Sequence, residues 1–96
     1  MSERIENLKR AVEWAYHCKA QHTSSTPILE VWGGEVVWDG VVETFELEGH
    51  VNARCCYAFP FVQNDQPEVK TVLGLPPIDS PRKAVQAAIA ATARKK

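Results

Sequence analysis

The chain changes its hydrophobic period twice. Ile5, Leu8, Val12 and Ala15/Tyr16 recur at helical spacing, Cys55, Tyr57, Phe59 and Phe61 alternate, and Val85, Ala88, Ile89 and Thr92 return to helical spacing. A stripe on each terminal helix must bury itself against something, and the strands between are the only large apolar surface on offer. The order predicts an α+β fold, α-β-β-β-α, in which a three- or four-stranded antiparallel meander carries both helices on one face, in two layers. At 96 residues this is one domain, spanning 1–96, with enough chain for a core that needs no disulfides.

Local signals place the elements. The first helix is expected from Ser2 or Glu3 to Ala20 or Gln21, with Ser2 as its cap and Glu3 and Glu6 near its positive end. His22 to Pro27 (HTSSTP) reads as a loop, since Thr26 precedes proline. Ile28–Trp32 reads as a short strand, and Gly33-Gly34 as a turn or bulge. The stretch EVVWDGVVETFELEG follows, in which Asp39-Gly40 either closes a hairpin or bends one long strand. Parity favours the bend: an extra residue there puts Val36 and Trp38 on the face of Val41, Phe45 and Leu47. Residues 48–53 form a loop. Arg54–Val62 is the next strand, and Pro60 marks an edge or an early end. After a polar turn, Val69–Leu75 is the last strand. Ser80 caps the second helix, Pro81 takes its first position, and no charge falls between Ala84 and Ala93. A helix with so little charge is covered on more than one side, by helix 1 or by a second subunit through Ala88.

The net charge of −1 excludes a polycation, yet the charges are sorted. Residues 22–68 carry eight acids against Arg54 alone, whereas residues 69–96 carry six bases against Asp79 alone. Such asymmetry steers a charged partner or holds the domain's own ends together. No apolar run is long enough to span a membrane, and the start MSERIENLKR lacks a secretory h-region. With an odd count of three cysteines, two of them adjacent, a reduced cytoplasmic setting is expected.

Two stretches, VVWDGVVETFELEGHVNARCCYAF (36–59) and LPPIDSPRKAVQAAI (75–89), resemble a group of small uncharacterised bacterial proteins. The likeness covers under half of the chain and implies a bacterial source and no activity. The element order is also similar to that of the double-stranded RNA-binding domain. That resemblance implies a minor-groove contact from the loop holding Gly49-His50 and a phosphate grip from Arg82 and Lys83 at the start of the last helix. The chain departs from that family in its incomplete basic cluster, its loop without proline and its acidic balance.

Candidate chemistry is sparse. Cys18 and His22 stand four apart on the expected helix, and His50 with Cys55 or Cys56 would complete a zinc set. No CxxC or HxxxH reinforces it, and buried cysteine as a small hydrophobe is the simpler reading. His50 beside Cys55 or Cys56 also allows an activated thiol, without an evident oxyanion site. Glu46 and Glu48 alternate on a strand and read as solubilising charges. Trp32, beside the glycine pair, is expected at the surface and Trp38 in the core. These observations favour a non-enzymatic interaction domain that takes a protein partner or a second copy through Trp32, Glu46, Glu48 or Ala88. They imply no cofactor. Double-stranded RNA binding and a zinc- or redox-dependent role are the alternatives.

Overall fold

A computed structural model describes residues 3–63 and 65–93, apart from the side chains of Gln63, Thr92 and Ala93. The expected Ser2 cap and the basic Arg94, Lys95 and Lys96 lie outside the described residues. Among those described, the order is α1 (Glu3–Tyr16), β1 (Lys19–Trp32), β2 (Glu35–Glu48), β3 (Cys55–Gln63), β4 (Gln66–Leu73) and α2 (Pro81–Ala93). The four strands form one antiparallel sheet in the order β1-β2-β3-β4. The α+β class and the meander therefore hold, with four strands. No helix among the described residues is long and apolar enough to cross a membrane.

The helices do not share a face of the sheet. Cys56 and Ala58 pack with Leu8 and Val12 of α1, whereas Tyr57 and Phe59 between and beyond them pack with Ala84, Val85 and Ala88 of α2. Successive strand residues point to opposite faces, so α1 and α2 lie on opposite sides and the molecule has three layers. This corrects the two-layer expectation. The reason is visible in β3, where Cys56, Tyr57, Ala58 and Phe59 are all buried. A strand apolar at every position is a strand covered on both faces.

α1 also ends earlier than its periodicity suggests. His17 takes the left-handed conformation (φ 53°), which stops the helix without glycine. The Ala20 amide then donates to Glu13 Oε2 at 3.0 Å, turning the chain directly into β1. The HTSSTP segment is thus strand, not loop. It pairs with β2 through to Pro27↔Val41, with a bulge at Thr23. Gly33 (φ 61°) and Gly34 (φ 82°) close the β1–β2 hairpin as a two-residue turn, since Trp32 pairs with Glu35.

β2 is one long strand, as parity demanded, but its extra residue is Val37 rather than Asp39-Gly40. Val36 therefore joins the side of Val41, Phe45 and Leu47, while Trp38 turns to the α2 side. There its ring meets Phe59 edge-on at 5.6 Å and lies over Gly40, where a Cβ would come within 2.8 Å of it. The β2–β3 ladder is short, running only from Glu43↔Ala58 to Glu46↔Cys55. Beyond Ala58 the two hairpins separate. Pro60 sits at that point, so its missing N–H breaks no ladder, and its carbonyl instead accepts from the Trp38 indole at 3.1 Å. At α2, Ser80 Oγ accepts the Lys83 amide at 3.3 Å, the expected cap.

Candidate interaction surface

Each helix is pinned to the sheet by the same device. The second residue of α1, Arg4, reaches the buried Glu43 (Nη1 to Oε2, 2.7 Å) and the Val41 carbonyl (3.3 Å). The second described residue of α2, Arg82, reaches the buried Glu30 and the Leu29 carbonyl (3.1 Å). Glu43 is 1% exposed and Glu30 3% exposed, so each carboxylate needs its donors. Glu43 also accepts from His22 Nε2 at 2.8 Å and from Ser25 Oγ. Burial alone would raise its carboxyl, but the bonds from Ser25, His22 and Arg4 outweigh that and hold it below the ordinary carboxylate range. Glu30 accepts from Trp32 Nε1 at 3.0 Å and Gln86 Nε2 at 3.1 Å. The Trp32 bond, against burial and with help from Gln86 and Arg82, lowers Glu30 likewise.

The Ser25, His22 and Glu43 side chains bring together the residue types of a hydrolytic triad, but not its wiring. A triad sets serine on one ring nitrogen and the carboxylate on the other. Here Ser25 and His22 Nε2 both meet the same Glu43 oxygen, and Ser25 approaches that same nitrogen at 3.3 Å. The cluster satisfies a buried charge.

The sequence candidates fall into separate places. Cys18 follows α1 and packs on the α1 side, His22 is held by Glu43, and Cys55 lies on the α2 side. His50 Nδ1 accepts the amides of Asn52 (3.1 Å) and Ala53 (3.0 Å), and its ring meets Tyr16 edge-on at 5.9 Å. The helical pairing behind the zinc set is lost because α1 ends at Tyr16 and His22 is in β1. The sheet itself separates Cys18 from Cys55. No group of three or more His, Cys, Asp or Glu among the described residues could hold a metal ion. Cys55 and Cys56 face opposite sides, and burial, with the neighbouring Cys55 and Cys18, pushes the Cys56 thiol up to about 12. Arg82 is engaged by Glu30, and Lys83 pairs with Asp79 at 3.1 Å. Ala88 packs against the sheet, so it belongs to the molecule's own core rather than to a subunit contact. Trp32 is partly exposed but tethered to Glu30; Trp14, on α1, is far more open at 81%.

The two helices are staggered, and each leaves part of its face bare. On the α2 side the bare part carries Lys19, Gln21, Glu46 and Glu48, all exposed. An open depression of about 420 Å³ reaches from there around β1 to Lys9 and Glu13. Its walls mix charges of both signs and lack the apolar lining of an ordinary ligand pocket.

On the α1 side the bare part is apolar. The β1–β2 hairpin presents Pro27, Leu29, Val31 and Val36 there, by the register that sets Leu29 opposite Asp39 and Val31 opposite Val36. The β3–β4 hairpin presents Pro60, Val62, Pro67 and Val69, in the pairs Pro60↔Val69 and Val62↔Pro67. The five aliphatic side chains among these are 47% to 68% exposed. Asp39 is the one charge those pairs place among them. Sequence alone did not single this surface out. Its residues look like ordinary strand alternation until the end of α1 and the bulge at Val37 are known.

No family model, curated protein or solved structure matches the chain.

Proposed function

We propose that this chain is a non-enzymatic interaction domain whose working surface is the apolar half-face formed by its two hairpins. One observation carries the reading. Eight apolar residues, four on each hairpin, lie on a face that no element among the described residues covers, whereas the matching bare area on the other side is polar. Clustered exposed apolar side chains mark interaction surfaces more often than scattered single ones do. The buried carboxylates support the same reading: Glu43 and Glu30 are occupied by the half-exposed Arg4 and Arg82, which suits a scaffold. Trp14, though open, stands singly and needs no partner to explain it.

The reading includes a bacterial cytoplasm as its setting. The likeness of residues 36–59 and 75–89 to small bacterial proteins and the three free cysteines support it. A double-stranded RNA contact through His50, Arg82 and Lys83 has weaker support, because all three already hold intramolecular partners. Site-specific photo-crosslinking in the producing cell tests the proposal. A benzophenone side chain at Val36 should give discrete higher-mass adducts, and one at Glu48 should give none. Equal labelling from both positions, or none from Val36, contradicts it.

A further inference from the structure

We draw no further inference here: the strongest candidate, the apolar half-face of the two hairpins on the α1 side, belongs to the surface already described, and nothing in the structure shows what covers it.

Discussion

The two faces of the sheet are built alike and finished differently. Both hold a helix by an arginine in its first turn that crosses to a buried glutamate and a strand carbonyl. Both bury a phenylalanine completely, Phe45 on the α1 side and Phe59 on the α2 side. They part company where the helices stop. The α2 side ends in Lys19, Gln21, Glu46 and Glu48, which water can solvate. The α1 side ends in Leu29, Val31, Val36, Val62 and Val69, which it solvates poorly. The same architecture thus carries one bare area that is polar and one that is apolar.

The largest expected effects test whether the two faces really are equivalent cores. Phe45→Ala and Phe59→Ala should each cost about 3–5 kcal/mol in urea unfolding. If one of them costs under about 1 kcal/mol, its face is not packed as described.

Next come the glutamates, where the faces differ in their donors. Both carboxyls are held below the ordinary range in the folded state. Their contribution is therefore full above the unfolded carboxylate pKa, about 4.3, and is lost as pH falls through the lower folded values. Glu43→Gln and Glu30→Gln should each cost roughly 2 kcal/mol at neutral pH, the scale of hydrogen bonds to a charged group. Each should also flatten the acid limb of the stability profile. An acid limb identical to that of wild type would show that the carboxylate contributes nothing to it.

A smaller effect is confined to one face. Gly40→Ala pushes a methyl into the Trp38 ring and should cost about 1–2 kcal/mol, read as a lower unfolding midpoint. Trp38→Phe in the same background should recover part of that loss, because the smaller ring makes room. Smallest of all, Val36→Lys and Glu46→Lys should each change the stability of the monomer by less than about 0.5 kcal/mol, since both positions are open.

How much of this was legible in the sequence varied with how local the cause is. α2 was, because Ser80 and Pro81 announce a helix within three residues. β2 and β3 were, through alternation. The first half of β1 was not. Two residues on its α1 face, His22 and Ser25, are polar because they serve Glu43, which lies 18 or more positions away. A stretch that faces a buried charge looks like a loop until the charge is found. The end of α1 was hidden because His17, not glycine, adopts the positive φ. The placement of the helices was written in the unbroken apolar run from Cys55 to Phe61, which a sheet covered on one face would not need. The candidate surface could not be seen at all without the stagger of the helices, since it is defined by where they end.

Methyl NMR with a soluble nitroxide tests the central claim most directly. The methyl signals of Leu29, Val31, Val36, Val62 and Val69 should be broadened in the purified protein and become protected in extract of the producing cell. Val51, exposed in the loop after β2, serves as the reference and should stay broadened throughout. If the five remain as accessible as Val51 in the extract as well, the half-face stays bare there and the interaction reading is contradicted.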